Sequence, residues 1–276
     1  MSSDLYRRVL VFVRLAVCLF VVQCVCGAFA VAQLPAARLD AIHPSGGSPG
    51  QTLEVTLTGA DLDDVSQLTF GHTGITAVRK MSEATPFDDG PQPVENVFVV
   101  TIAGNVPAGE YDVRCQGRFG VSNVRRFHVS SGNQVVEVEP NGGGEVPQWT
   151  EEDGKRLNAA NEAVLPAVLH GESQGNADVD WYRFAVKAGQ RVVATAYCRR
   201  MDSRMSPVLT LFRGDGAVLG ESQSGPWGEA VVEATAAGDG EWFLKVHDMV
   251  YAQGVGFAYR ILVAAAPQID FIFQAL

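Results

Sequence analysis

The chain has 276 residues, 31 Asp and Glu against 21 Lys and Arg, a net charge of −10 and five cysteines. So acidic a surface repels phosphate backbones and anionic lipid, which excludes an electrostatically held nucleic-acid partner. The length accommodates two ordinary domains or one large sandwich.

Residues 1–14 carry Arg7, Arg8 and Arg14 against Asp4 and precede the apolar run LAVCLFVVQCVCGAFAVA, which contains the small-residue sites Ala28-Phe29-Ala30 and Ala30-Val31-Ala32. This charge, core and cleavage pattern predicts a secretory signal peptide over 1–33, hence export to the periplasm, cell surface or medium. A retained membrane anchor is the alternative, because about 18 apolar residues just span a bilayer; the membrane would then be met through the leader alone. Setting the leader aside leaves a net charge of about −12. It also leaves only Cys115 and Cys198. Two distant cysteines exclude a disulfide framework, and are read either as a single bridge or as two buried thiols.

Beyond the leader no segment sustains a helical apolar period. TLEVTLTG (52–59) alternates Leu53, Val55 and Leu57 with Thr52, Glu54 and Thr56, and NVFVVTIAG, GEYDVRCQG and VRRFHVS follow between Gly, Pro and Asn turns. Such spacing predicts one β-sandwich over 34–132. Residues 133–162 turn polar, acidic and glycine-rich and read as a connector. A second series, AVLPAVLHG, DWYRFAV, QRVVATAYC, PVLTLFRGDG, GEAVVEATA, GEWFLKVHD and FAYRILVAA, predicts another sandwich over 163–266. The predicted fold class is therefore all-β, two tandem β-sandwiches, Ig-like and jelly-roll-like. Residues 267–276 repeat the opening of the first module, with Leu39, Asp40 and Ile42 matched by Ile269, Asp270 and Ile272. They read as the start of a further, truncated module of a longer architecture.

Two resemblances rest on ordered motifs. Leu39-x-x-Ile42-x-Pro44-Ser45-Gly46-Gly47, Gly59 before Asp61-Leu62, Phe70-Gly71, Pro107-Ala108-Gly109-x-Tyr111-x-Val113 and Gly120-x-Ser122-Asn123 make 36–130 similar to the IPT/TIG immunoglobulin-like family. The insertion MSEATPFDDGPQPVEN departs from that compact pattern. Glu137-Val138-Glu139-Pro140-Asn141, Asp178-x-Asp180-Trp181-Tyr182-x-Phe184, Ala188-Gly189-Gln190, Pro207-Val208-Leu209-Thr210-Leu211-Phe212, Trp242-Phe243-Leu244 and Tyr259-Arg260-Ile261-Leu262-Val263 make about 135–264 resemble the bacterial pre-peptidase C-terminal (PPC) domain. That resemblance implies a β-sandwich found beside secreted peptidases and in collagen-binding segments.

Gly171-Glu172-Ser173-Gln174-Gly175 spells the G-x-S-x-G nucleophile elbow. The elbow needs a strand-to-helix turn, whereas another strand follows here. His43, His72, His128, His170 and His247 are isolated, without zinc-ligand spacing. Arg213-Gly214-Asp215 reads as a turn rather than an adhesion motif. Trp149, Trp181, Trp227 and Trp242 are candidates for a saccharide platform, with core packing expected of Trp181 and Trp242.

Asp178 and Asp180 share strand parity with Tyr182, Phe184 and Val186, and Glu137, Glu139 and Asn141 share one face of an extended segment. Brought together, these five are repulsive without a cation and suit the oxygen shell of calcium. The PPC resemblance implies calcium at the same positions, although Gly142 stands where some members carry an acid. The alternative is that the aspartates accept backbone N–H bonds at the strand mouth while the glutamates are solvated. The function read from these features is that of a secreted, non-catalytic tandem β-sandwich acting in binding, adhesion or scaffolding toward an extracellular protein or polysaccharide. The alternative is an accessory segment of a larger exported peptidase.

Overall fold

The computed structural model describes residues 13–14, 34–84, 90–139, 161–175, 177–225 and 229–265. The rest of the leader, Asn141, Gly142, Trp149, Trp227 and the repeat at 266–276 lie outside the described residues. Among those described, no helix is long and apolar enough to cross a membrane.

The described chain is all-β. The first pair of sheets is built from β1 (Arg38–His43), β2 (Gly46–Gly47), β3 (Thr52–Ala60), β4 (Gln67–Phe70), β5 (Ile75–Met81), β6 (Pro93–Ile102), β7 (Gly109–Gly117), β8 (Gly120–Val121) and β9 (Arg125–Val129). One sheet runs β1-β3-β6-β5; the other runs β2-β9-β7-β4, with β8 hairpinned onto β7. Alternation explains the core between them. Val55 and Leu57 of β3, Phe98, Val100 and Ile102 of β6, Val113 and Cys115 of β7, and Phe127 of β9 all lose their surface to it, whereas Thr52, Glu54 and Thr56 stay exposed.

The second pair comprises β10 (Asn133–Val136), β11 (Asn161–Glu162), β12 (Ala167–Glu172), β13 (Asp180–Val186), β14 (Arg191–Tyr197), β15 (Pro207–Arg213), β16 (Val218–Gln223), β17 (Glu229–Thr235), β18 (Gly240–Asp248) and β19 (Ala258–Ala264). Its sheets run β10-β12-β19-β14-β17 and β11-β13-β18-β15-β16. Tyr182, Phe184, Leu209, Leu211, Leu244, Tyr259, Ile261 and Val263 fill the space between them.

Residues 133–136 differ from the connector expected there. β10 pairs in parallel with β12, Asn133 opposite Ala167 and Val136 opposite His170, so the second sandwich begins immediately after Gly132, whose φ is +124°. QVV is too short for periodicity to separate it from the polar residues around it, and its partner strand is more than thirty residues away.

β12 and β14 are buried on both faces. Alternate residues Ala167, Leu169, Val192, Ala194 and Ala196 enter the core, and the opposite parity, including Val168, His170, Val193 and Thr195, is buried as well. The outer side of this sheet meets the first sandwich across a polar seam. Gln134 Nε2 donates to Ser48 Oγ at 3.0 Å, and its Oε1 faces His170 Nε2 at 2.8 Å. Arg260 donates to Ser130 Oγ at 2.6 Å, and Arg125 lies 3.4 Å from Asp202.

Candidate functional site: a carboxylate cluster at the mouth of the second sandwich

Glu137 and Glu139 continue the line of β10, which is tied to β12 by the bond from Glu137 N to His170 O at 2.9 Å. Asp180 opens β13. Ligand oxygens of Glu137, Glu139 and Asp180 lie within 4.8 Å of one another, with Asp180 buried, Glu137 half-buried and Glu139 exposed. Calcium sits at about 2.3–2.6 Å from its oxygens, so one ion reaches oxygens separated by about that span.

Two tyrosines close the inner end. Tyr182 Oη and Tyr259 Oη are 2.9 Å apart, and Tyr259 Oη stands 2.7 Å from Asp180 Oδ2 and 3.1 Å from Glu137 Oε2. A phenol carries one proton, so it serves one of these acceptors at a time. Glu137 Oε1 also accepts from Glu172 N at 2.7 Å. These donors do not offset burial: desolvation first, then the Asp180 charge, push the Glu137 carboxyl up to about 9. Burial likewise drives both tyrosine hydroxyls well above their usual range. Asp248 lies in the same sandwich. Its side-chain oxygens accept from Ser206 N at 2.8 Å, Val250 N at 3.0 Å and Ala252 N at 2.9 Å, which fasten the turn after β18.

The five residues read from the sequence thus separate. Glu137, Glu139 and Asp180 come together. Asp178 lies outside that group; its Oδ2 accepts from Gln174 N, and burial raises its carboxyl. Asn141 is outside the described residues. The backbone-bonded alternative therefore describes Asp178, while Glu137 departs from the solvated role it carried there. The sequence pattern does not mark Tyr182, Tyr259 or Gly171 as site residues. The available signal was parity: both tyrosines occupy core positions, and a buried phenol requires a polar partner.

The spelling G-x-S-x-G has other causes. Gly171 stands where a Cβ would overlap Tyr259 Oη and Glu137 Oε2. Ser173 is buried and donates through Oγ to Ala252 O at 3.0 Å, and Gly175 turns the chain at φ +75°. Arg213 and Asp215 pair with each other across their own turn at 2.8 and 2.6 Å. Trp181 and Trp242 are buried, and Cys115 and Cys198 are free, buried thiols.

Residues 178–248 match the family described as bacterial pre-peptidase C-terminal domain. The pre-peptidase C-terminal domain of a Bacillus anthracis collagenase aligns at 19% identity over 38% of this chain and 93% of its own, with a TM-score of 0.32. PliG of Aeromonas hydrophila, a periplasmic inhibitor of g-type lysozyme, aligns at 17% over 35% and 84%, TM-score 0.26. The Bacteroides ovatus protein SGBP-B, solved with a mixed-linkage heptasaccharide, aligns at 14% over 84% and 76%, TM-score 0.25. No curated protein matches the chain.

Proposed function

We propose that the chain is an exported, non-catalytic binding or scaffolding protein whose PPC-type sandwich is stabilised by calcium at Glu137, Glu139 and Asp180, with Asp178 and Asn141 as further candidate ligands. The observation that carries the calcium reading is the gathering of three carboxylate oxygens within 4.8 Å, around a Glu137 carboxyl that burial and Asp180 push to about 9. A divalent ion would replace the proton that Glu137 otherwise retains, and would draw Glu139 inward from solvent. The match of 178–248 to the PPC family supports the same assignment. The first sandwich is read as an IPT/TIG-like module on the sequence pattern of 36–130. An extracellular protein or polysaccharide is the partner class consistent with export and with an acidic surface. The commitment of Ser173 Oγ to Ala252 O supports the non-catalytic reading.

The test is the melting temperature of the chain in millimolar calcium, in millimolar magnesium and in chelator. Calcium at about 100 times its dissociation constant stabilises a folded-state binder by about 2.7 kcal/mol, and Asp180→Asn should abolish the gain. Equal melting in calcium and chelator would refute calcium binding. The accessory-peptidase alternative is supported by the same family match; it requires co-purification with a peptidase from the native host.

A further inference from the structure

The seam between the sandwiches holds a second constellation, independent of the carboxylate cluster. A cleft of about 190 Å³ is lined by Glu110 of β7, His128 of β9, Tyr197 of β14, Arg200 in the short 3-10 turn Arg199–Met201, and Arg260 of β19. The guanidinium carbons of Arg200 and Arg260 stand 5.6 and 5.9 Å from the centre of the same Tyr197 ring. Cation-π contact with one ring thus holds two like charges beside one cleft.

Their neutralisation is unequal. Arg200 is exposed and pairs with Glu229 at 2.7 Å, with Glu110 at 4.0 Å. Arg260 is 6% exposed. Among the described residues it has no carboxylate within ion-pair distance; its one polar side-chain contact is Ser130 Oγ, and its Nε has no hydrogen-bond partner. His128, 4% exposed, also lines the cleft, and its Nε2 has no hydrogen-bond partner among the described residues. Glu110 acts on Arg260 only from across the cleft; a buried guanidinium with no carboxylate in direct contact is costly, and a planar fork of N–H donors matches an oxyanion.

We infer that this cleft binds an oxyanion, the sulfate or carboxylate group of a small acidic ligand, between Arg200 and Arg260 with His128 as an additional donor once protonated. Glu110 is the internal competitor: it occupies the anion's side of Arg200 and must swing away, which its exposure permits. Arg260, Arg126 and Arg200 now help burial hold His128 at about 4. An anion in the cleft offsets those charges, so binding takes up a proton and tightens as pH falls. The groups facing His128 are Glu110 on β7, Arg126 on its own strand, Arg200, Arg260 and His170.

The experiment is calorimetric titration of the full chain with sodium sulfate, sodium glucuronate and neutral glucose, at ionic strength fixed with chloride and at pH 7.5 and 5.5. Saturable binding of sulfate or glucuronate, at least threefold tighter at pH 5.5 and absent for glucose, is expected. Glucuronate alone binding identifies a sugar acid as the source; sulfate binding equally well means that a free anion suffices. Arg200→Gln, at an exposed position, should weaken binding at least fivefold, and Glu110→Gln should tighten it, which a purely structural role for Glu110 would not produce. Arg260→Lys keeps the charge but loses the fork and should weaken binding. No heat beyond the chloride control, or unchanged affinity in both Arg200→Gln and Glu110→Gln, overturns the inference.

Discussion

Gly171 lies directly opposite Tyr259 in the antiparallel ladder of β12 and β19, and a methyl group at 171 would overlap the Tyr259 hydroxyl and the Glu137 carboxylate. The missing side chain is what lets the carboxylate from the β10 line reach the buried phenol. Gly171→Ala should therefore destabilise the second sandwich by about 1–3 kcal/mol, the usual cost of overpacking a filled site. It should also weaken any calcium-dependent gain, because Glu137 is displaced. Chemical denaturation with and without calcium reads both effects. An unchanged midpoint would show that the strands separate freely at this point.

The Glu137 carboxyl sets a second expectation, with a definite sign. Its folded value, about 9, lies above the ordinary 4.5, so its contribution is fully present below about 4.5 and is lost as pH rises through 9. In chelator, stability should fall as pH rises from about 7 to 9, above the range in which the lowered histidines take up protons. Calcium binding expels the proton, so calcium affinity should rise over the same range. Glu137→Gln should flatten the chelator profile above pH 7, where the buried histidines no longer titrate, and remove most of the calcium response. Melting curves at half-unit pH steps in both media are the measurement; a calcium affinity independent of pH would refute the displacement of a proton.

The alternation of Val55 and Leu57, or of Tyr182 and Phe184, made two β-sandwiches legible because burial on one face of a strand leaves a period of two. The same arithmetic placed Asp180 inward and joined Glu137 to Glu139. It did not reach Tyr259 or Gly171, because their meeting with Glu137 depends on the register of strands far apart in sequence. Nor did it reach the seam. His170 and Arg260 look misplaced among apolar neighbours in VLHG and AYRIL, and only the packing of one sandwich against the other explains why polar groups occupy those strand positions. β10 stayed hidden for a related reason: a four-residue strand paired in parallel with a distant partner carries almost no local signal.

The two thiols give a simple check on the cores. Burial raises both above the usual thiol value, Cys198 the further, and each side chain is fully enclosed. A thiol that is neither ionised nor reachable does not attack disulfide reagents. Cys115 and Cys198 should fail to react with Ellman's reagent at pH 8 in the native state and react together in guanidinium, and reductant should leave the melting temperature unchanged. Loss of stability on reduction would show a bridge instead.

Acid should act on the seam. His170 is enclosed between Gln134 Oε1 at 2.8 Å and Ser45 Oγ at 3.4 Å, and burial, then Arg260, His43 and His128, hold its value well below 6.5. His128 is held at about 4, and His43, half-buried 3.6 Å from Glu172, is also lowered. Because the folded values lie below the unfolded one, the cost is absent at neutral pH. It begins as pH falls through about 6.5, and for His128 it is complete below about 4, reaching on the order of 3 kcal/mol. Glu137 works in the opposite direction over part of this range, so the measurement belongs in the Glu137→Gln background. There the melting temperature should drop between pH 7 and 5, and His170→Gln, which preserves a hydrogen-bonding group toward Gln134, should reduce the slope. Hydrogen exchange should show the loss first at β10 and β12, where the seam is fastened by Gln134 and His170, ahead of the β13–β18 ladder on the far sheet. A flat profile in this background would mean that the seam histidines accept protons without cost, and that the first sandwich does not exclude water from them.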